Sequence, residues 1–453
     1  MLRLLLAVAL LAVALLAVAQ ASQAQIGGGA IGLPGVRLPG LPEVNVPRVQ
    51  NDLTRAADGI GSQAAANVRR IRIRDLLRAQ RNVVEADPRG DPIMRGEVLA
   101  LSPSDATLAR ARAAGYEVVR DRALDGLDAR IVVLQAPAGT STRRALRQLR
   151  SLDPAGNYDF NHLYFDSGTV SPAAGLTAQA GSQPPERPAS AAAHRVGLID
   201  GGVDAQHPVF HDISVHQHGC GGASMPSEHG TAVASLLVGS AEQFRGAAPG
   251  EELFAADVYC GQPTGAAVDA VADAFSWLVG EHVPVINVSL VGPPNALLEA
   301  VVLRVIARGY LIVAAVGNDG PAAPPLYPAA YRDVIGVTAV DAHRRVLVEA
   351  GRGPQVKFAA PGADMAAACP AGKFNAVRGT SFAAPIVAGL LSLDMSAPDT
   401  AEAQRAVQAL IHSAIDLGAR GPDKVYGNGL VGDEVRPDLA LVTRSTHPDL
   451  AKH

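Results

Sequence analysis

Hydrophobic residues follow different patterns in the two halves of this chain. Between residues 96 and 165, short apolar stretches with interspersed polar positions alternate with stretches of helix-forming residues. From residue 194 onward, continuous apolar runs are separated by helical segments. Continuous apolar strands indicate a parallel sheet covered by helices on both faces. The pattern therefore predicts a small α+β domain followed by a larger α/β domain.

The small domain, residues 96–165, is predicted to contain four strands and two helices. The helices are expected at Ser104–Ala114 and Ser141–Leu152. The strands are expected in GEVLAL, YEVVRD, ARIVVLQA and YDFNHLYF. Their order, β-α-β-β-α-β, is the ferredoxin-like arrangement.

The larger domain, residues 194–442, is predicted to alternate strands and helices. Helices are expected from His229, over 266–280 and over 295–308. The strands are expected in RVGLID, ELFAADVY, PVINVSL and YLIVAAVG. In such folds, ligands and catalytic groups gather at the carboxyl ends of the strands. The residues directly after each strand are therefore the first candidates for function.

Residues 1–24 have the features of a removable export signal. Arg3 precedes an unbroken apolar run from Leu4 to Ala19, and Ala19-Gln20-Ala21 fits a small-x-small cleavage site. A membrane anchor is the alternative, but a spanning helix needs about 20 apolar residues and this run is shorter. We therefore expect a secreted or periplasmic protein that is not inserted in a membrane once the signal is removed.

Three other segments are predicted to lie outside the two domains. Residues 25–95 combine a Gly- and Pro-rich tether with a basic run at 67–81. That run could contact anionic membrane or nucleic acid, but a solvated helix face is the expected structure. Residues 166–193 are predicted to form a linker, cut by proteases within 171–193. Residues 443–453 are predicted to be a tail.

Composition limits the classes of partner. The chain has 453 residues, a 48% hydrophobic content and a formal net charge of −4, so a large core is expected and no overall basic field favours nucleic acid. Three cysteines are too few for a disulfide-stabilised fold, and none forms a CxxC pair of the zinc-site type.

Four polar residues lie at strand ends or helix starts, where catalytic groups of parallel-sheet proteins are usually found. Asp200 ends the strand RVGLID, His229 heads an apolar helix, Asn318 follows YLIVAAVG and Ser381 begins another apolar helix. Taken singly, each could be a turn or capping residue. Together, however, they give the chain order Asp…His…Ser, which is the subtilisin order. A serine at a helix start also has backbone donors available for a developing oxyanion.

The motifs around these residues resemble those of the subtilisin-like serine peptidases. They read LIDGGVDAQHP, HGTAVAS and GTSFAAP, and VINVSL, AAVGNDG, VIGVTAV and KFAAPG extend the resemblance over about residues 194–440. The resemblance implies a three-layer α/β fold, with the small domain before it as a propeptide.

The resemblance also implies a role for each of the four residues. Asp200 would orient His229, His229 would take the proton of Ser381, and Ser381 would become acylated. Asn318 would donate to the oxyanion. The strand Val288–Leu290, with Ser289 at its centre, would pair with an extended substrate.

Several positions depart from the family pattern without removing a catalytic group. Gly201 stands where Ser or Thr is usual, Ala232 where His is common, and Val291 interrupts the usual Ser-Leu-Gly. The loop GSAEQFRGAAPG lacks the oxygen ligands of the family's calcium-binding version, so no calcium site is carried over. We expect no cofactor to be required.

Export and the family fold together suggest a disulfide. An oxidising compartment favours one disulfide among the three cysteines. The resemblance places Cys220 and Cys260 together beside the substrate cleft, leaving Cys369 free. A nearby histidine cluster could bind zinc with Cys220, but a hydrogen-bonded loop is the expected structure. Its histidines are His207, His211, His216 and His218.

The expected function is that of an exported serine endopeptidase made as an inactive, autoprocessed precursor. Its partners would be polypeptide substrates and its own propeptide, acting as an intramolecular inhibitor. Two alternatives remain: a non-catalytic exported module that uses the fold for binding or assembly, and an esterase or acyl transferase with the same triad.

Overall fold

The computed structural model describes residues 68–171, 194–223 and 225–442. The predicted export signal, most of the tether, the linker stretch 172–193 and the tail lie outside the described residues. No helix in the described ranges is long and apolar enough to cross a membrane.

The N-terminal part of the described chain forms an antiparallel sheet with helices on one face. Helix α1 covers residues 68–79. The remaining elements are β1 (Val84–Ala86), β2 (Pro92–Leu101), α2 (Asp105–Ala113), β3 (Glu117–Leu124), β4 (Ala129–Gln135), α3 (Thr142–Leu152), β5 (Asn157–Asp166) and β6 (Thr169–Ser171). We call residues 84–166 the N-terminal region.

The C-terminal part, here called the catalytic region, contains the strands and helices from residue 194 onward. Its strands are β7 (Arg195–Asp200), β8 (Val215–His218), β9 (Ser240–Ala241), β10 (Phe244–Arg245), β11 (Glu252–Asp257), β12 (Ala266–Ala267), β13 (Val285–Val288), β14 (Leu290–Val291), β15 (Leu311–Ala315), β16 (Ile335–Val340), β17 (Val356–Pro361), β18 (Met365–Cys369) and β19 (Lys373–Arg378). Its helices are α4 (Glu228–Val238), α5 (Val268–Gly280), α6 (Ala296–Ala307), α7 (Thr380–Ser392) and α8 (Thr400–Ser413).

A parallel sheet of seven strands organises the catalytic region, in the order β17-β16-β15-β13-β7-β11-β8. Successive residues of a strand point to opposite faces. In β7, Leu198 accordingly joins the core beneath α4 and α7, whereas Ile199 joins the core beneath α5 and α6. Both side chains are fully buried. The expected α/β fold with helices on both faces is thus confirmed.

The antiparallel sheet has the strand order β5-β2-β4-β3, with β1 added beside β2. Its helices and strands follow the order β-α-β-β-α-β, from β2 to β5. One face is covered by α2 and α3, through residues such as Leu108 and Leu146. The other face packs on α5 and α6 of the catalytic region, with Leu99, Leu124 and Ile131 in a shared core.

Two parts of the predicted boundaries were wrong. Strand β1 and the first residues of β2 lie within 25–95, where only a tether and a helix were expected, and β6 lies within the predicted linker. The hairpin between β1 and β2 is held by Asp87 Oδ1, which accepts from the backbone N–H groups of Arg89 at 2.7 Å and Asp91 at 2.9 Å. The short strands β1 and β6 form because they pair with neighbouring strands. Three residues are too few to show a strand pattern in the sequence.

Candidate active site

Asp200 and His229 form a buried hydrogen-bonded pair at the carboxyl end of the parallel sheet. Asp200 is the last residue of β7, and His229 is the second residue of α4. The N-cap Ser227 starts that helix by accepting from the Gly230 N–H at 2.9 Å. His229 Nδ1 lies 2.9 Å and 3.0 Å from the two carboxylate oxygens of Asp200. An imidazole held in this way has its Nε2 available for proton transfer.

The pKa of His229 is raised above its ordinary value. Burial alone would lower it, but the charge of Asp200 and its hydrogen bond outweigh the desolvation. A raised pKa makes His229 a stronger base towards a neighbouring hydroxyl. It also means that the neutral, proton-accepting form is populated only at higher pH.

Ser381 lies at the start of α7 and is fully buried. Its Oγ lies 2.7 Å from Ser167 Oγ and donates to the Ser289 carbonyl oxygen at 3.2 Å. His229 Nε2 is buried and has no hydrogen-bond partner within the described residues. The Ser381 hydroxyl is therefore bonded to Ser167, in the segment before the catalytic region, and to the Ser289 carbonyl, and not to His229. Catalytic hydrogen bonds are often absent until a substrate is in place.

The amide of Asn318 is held as a donor beside the Ser381 helix. Asn318 Oδ1 accepts from the Thr380 N–H at 3.1 Å, which fixes the orientation of the amide. Its Nδ2 is buried and has no partner among the described residues. A buried donor without a partner is costly unless something binds there, so this geometry suits the stabilisation of an oxyanion.

Gly379 keeps the space next to that amide open. It adopts φ = 140°, and a Cβ built on it would lie 2.9 Å from Asn318 Nδ2 and 3.0 Å from the Ser167 carbonyl oxygen. A side chain at position 379 would therefore fill the space between the amide and the chain that crosses it.

Of the predicted substrate-binding strand Val288–Leu290, Leu290 pairs with an extended chain and Val288 does not. Val288 belongs to β13, which is bonded on both sides, to β7 and to β15. It cannot accept a further strand. Leu290 and Val291 of β14 pair antiparallel with β5 instead. Ser289 lies between the two strands, and its Oγ donates to the Ser381 carbonyl oxygen at 2.9 Å.

A second short strand lines the opposite side of the same groove. Ala266 and Ala267 of β12 pair antiparallel with Tyr164 and Leu163 of β5. Strand β5 thus lies between β12 and β14. We call the groove between these two strands the cleft.

The basic helix α1 lies over the cleft, and most of its arginines are exposed, as expected of a solvated helix face. Arg72 pairs with Asp166 at 2.5 Å and stacks over the Phe165 ring at 5.2 Å. Arg69 pairs with Asp319, the neighbour of Asn318, at 3.3 Å. Burial opposes ionisation of Asp166, but the positive charges of His229 and Arg72 lower its pKa.

The departure at Gly201 has a steric explanation. A Cβ on Gly201 would lie 2.4 Å from Ser227 Oγ. The hydroxyl that caps the His229 helix therefore occupies the space that a side chain at position 201 would need.

The structure joins Cys220 to Cys260 in a disulfide and leaves Cys369 buried and free. This is the pairing that the resemblance implied. The bond connects the loop before α4 to the residues just after β11, beside the cleft.

The histidines near Cys220 contact different partners. His207 Nε2 lies 3.0 Å from the Lys373 carbonyl oxygen, His216 pairs with Glu252 at 2.9 Å, and His218 lies 3.2 Å from Asp273. Among the described residues, the one group whose ligand atoms lie close enough for a metal is Cys220, Asp257 and Cys260. The two sulfur atoms of that group are bonded to each other.

The structure adds residues to the site that sequence reasoning missed. They are Ser167, which contacts Ser381, the arginines Arg69 and Arg72, and the strand Ala266–Ala267. The only sequence signals were the basic run and the small residues Ser167-Gly168 after an aromatic strand. Neither signal has meaning before the tertiary arrangement is known.

Comparisons with known proteins agree with this geometry. The model of the subtilase family matches residues 192–429. Subtilisin of Bacillus pumilus is 31% identical over 253 residues, which cover 52% of this chain and 88% of that one. Subtilisin DY of Bacillus licheniformis is 32% identical over 255 residues, covering 53% and 89%.

A solved structure supports the fold. Fervidolysin from Fervidobacterium pennivorans, described as a keratinolytic enzyme related to subtilisin, superimposes with a TM-score of 0.63 at 18% identity. The match covers 78% of this chain and 62% of the fervidolysin chain.

Proposed function

The chain belongs to the subtilase family and is a serine endopeptidase; on that premise we propose that it is exported, works through Asp200, His229 and Ser381, and is made as a self-inhibited precursor. The observation that carries the assignment of the triad is the buried Asp200–His229 pair. It lies in the same cleft as a helix-start serine and the donor amide of Asn318.

Each residue has one task in this mechanism. His229 Nε2 removes the Ser381 proton as Oγ attacks the substrate carbonyl, and Asp200 stabilises the imidazolium that forms. The Asn318 amide and the Ser381 backbone N–H stabilise the oxyanion. His229 then gives its proton to the leaving amine, and water hydrolyses the acyl-enzyme.

Self-inhibition is supported by the position of β5. It pairs with β14 and β12 on both sides of the cleft, where an extended substrate would bind. Its continuation places Ser167 against Ser381. A substrate cannot bind until this segment leaves.

The test of the triad is peptide hydrolysis by the processed enzyme, compared with Ser381→Ala. We expect a loss of several orders of magnitude, because the triad residues act as a unit. Ser392→Ala is the matched control, since Ser392 is buried at the other end of the same helix and its hydroxyl donates to the Gly389 carbonyl oxygen. A fluorophosphonate should label Ser381.

The outcomes separate the alternatives. Absence of labelling together with absence of hydrolysis would favour a non-catalytic module. Rapid hydrolysis of esters with none of peptides would favour an esterase or acyl transferase. Retention of more than about a tenth of peptidase activity in Ser381→Ala would contradict the proposed nucleophile, given the size of triad effects.

Asn318→Ala tests the oxyanion donor. Removal of one such donor, as known from subtilisin itself, costs about 10²–10³ in rate. We expect a loss of that size in kcat with little change in KM, because the amide acts in the transition state. A change confined to KM would make Asn318 a substrate-binding residue instead.

A further inference from the structure

Residues 163–171 cross the cleft as one extended segment that is held on both sides of Ser381. Before Ser381, Leu163 and Tyr164 pair with β12, and Phe165 and Asp166 pair with β14. Beyond it, residues 169–171 of β6 pair antiparallel with Arg378, Val377 and Ala376 of β19. A chain fixed on both sides has little freedom to choose which peptide bond faces the nucleophile.

The register identifies the residues that face Ser381. Phe165 lies opposite Val291 and Asp166 opposite Leu290, so the next residue, Ser167, arrives beside Ser289 and Ser381. Ser167 Oγ is 2.7 Å from Ser381 Oγ. No other described residue outside the catalytic region makes a hydrogen bond to the Ser381 hydroxyl.

The peptide unit that joins Ser167 to Gly168 lies beside the space next to Asn318. A Cβ built on Gly379 would lie 3.0 Å from the Ser167 carbonyl oxygen and 2.9 Å from the Gly168 Cα. The same point lies 2.9 Å from Asn318 Nδ2, which has no hydrogen-bond partner in the described part of the chain. The Ser167 carbonyl oxygen and the Asn318 amide therefore border the same small space, although no hydrogen bond joins them.

We propose that the enzyme cleaves its own chain between Ser167 and Gly168. This inference rests on the proposed function and adds the bond at which the precursor is processed. In this proposal, cleavage after Ser167 comes first, in place of the expected first cut within 171–193.

The chemistry of the step balances with water as the only co-reactant. Ser381 Oγ adds to the Ser167 carbonyl carbon, and its proton passes to His229 Nε2. The Ser167–Gly168 C–N bond breaks, and His229 returns that proton to the Gly168 nitrogen. Water then hydrolyses the Ser167 ester, which leaves a Ser167 carboxylate and a free Ser381 hydroxyl.

The same geometry gives the class of peptide that the cleft accepts. A Cβ on Gly168 would lie 2.4 Å from the Phe382 ring, so a small residue fits after the scissile bond. Tyr164 is fully buried, donates from its hydroxyl to the Pro293 carbonyl oxygen at 2.6 Å and lies over Gly292. We expect preferred substrates to have a small residue directly after the cut and an aromatic residue at the position that Tyr164 occupies.

The test is mass spectrometry of the full chain during maturation. The N-terminal fragment should end at Ser167, and the first C-terminal fragment should begin at Gly168. Later trimming within 172–193 would shorten the second fragment but would not change the C-terminus of the first. Ser381→Ala should stay uncut.

Gly168→Val supplies a second measurement. We expect it to slow processing at least tenfold, because the new side chain meets Phe382. The control is Ala173→Val, which adds comparable bulk beyond the segment that is paired with β19. Equal processing rates of the two variants would overturn the proposal.

The possible failures are distinguishable. A fragment that ends at another residue, in a chain whose Ser381 is labelled by a fluorophosphonate, would refute the cleavage site and leave the proposed function intact. A chain that is neither processed nor labelled at Ser381 would refute the proposed function itself.

Discussion

The parallel and antiparallel sheets are both buried on two faces, but they are covered differently. Helices of the catalytic region cover both faces of the parallel sheet. The antiparallel sheet has α2 and α3 on one face only, and its other face is completed by α5 and α6. The N-terminal region is thus a unit with a small core of its own and one apolar face that needs a partner.

Charged and polar contacts surround that shared apolar face. Arg120 bridges Glu97 of its own sheet at 2.6 Å and Asp269 of α5 at 2.7 Å. Asn161 donates to the same two carboxylates. Arg122 pairs with Asp273 at 2.7 Å. Salt screens the partly exposed Arg122–Asp273 pair, but it screens the buried Glu97 and Asp269 carboxylates much less. The shared interface therefore combines an apolar core with a buried charged network.

The comparison is tested most strongly by truncating one leucine in each core, in the uncut Ser381→Ala chain. Leu198→Ala in β7 and Leu146→Ala in α3 should each cost about 2–5 kcal/mol of local stability, as buried leucines do. Hydrogen exchange should rise throughout the catalytic region in the first variant. In the second it should rise in β2–β5 and change little in β7 and β13. Equal increases in both regions would show that they unfold as one unit.

Removal of Arg120 should weaken the docking of the N-terminal region. Arg120→Ala leaves the buried Glu97 and Asp269 carboxylates facing each other, which should cost about 1–3 kcal/mol because Arg120 is partly exposed. The processed N-terminal fragment should then dissociate about 10–100-fold faster. Arg143→Ala, at an exposed arginine of α3, is the control. An unchanged dissociation rate would show that the Arg120 ion pairs do not stabilise the interface.

Removal of Arg72 should have a smaller effect. Its guanidinium is about half exposed, and exposed ion pairs contribute less than about 1 kcal/mol. Arg72→Ala should therefore speed fragment release only a few-fold. Arg74→Ala is a matched control on the same helix, because among the described residues Arg74 pairs with the adjacent Asp75 and not with the cleft segment. If both variants behave alike, α1 does not hold the segment in the cleft.

The smallest effect concerns the pH profile of the processed enzyme. His229 must be neutral to accept a proton, so kcat/KM should rise with pH through a midpoint above 6.5, the ordinary histidine value. The charge and hydrogen bond of Asp200 are the main causes that raise the pKa, and Asp200 remains after processing. A midpoint below 6.5 would mean that burial dominates in the free enzyme.

Sequence patterns predicted the elements that depend on local signals. β7 was predicted at its observed bounds because RVGLID is an uninterrupted apolar run with a carboxylate at its end. The serine at the start of α3, Ser141, likewise marked a helix boundary. Elements fixed by a distant partner were missed: β12 was assigned to the following helix, because two alanines carry no strand signal of their own.

The same division applies to the site. Asp200, His229, Asn318 and Ser381 were found because each follows a strand or starts a helix within a motif. Ser167 and Arg72 could not be found in this way, since their contacts depend on a strand register and on the packing of α1. The residues that occupy the cleft are therefore identified only by contacts between segments that are far apart in the sequence.

The central claim is that Ser381 becomes reactive only after the N-terminal region leaves the cleft. Native mass spectrometry of maturing protein, sampled during brief exposure to a fluorophosphonate, tests it directly. The account predicts the label on catalytic fragments that are free of the fragment ending at Ser167, and none on the uncut chain or on the undissociated complex. Labelling of all three species at the same rate would contradict it.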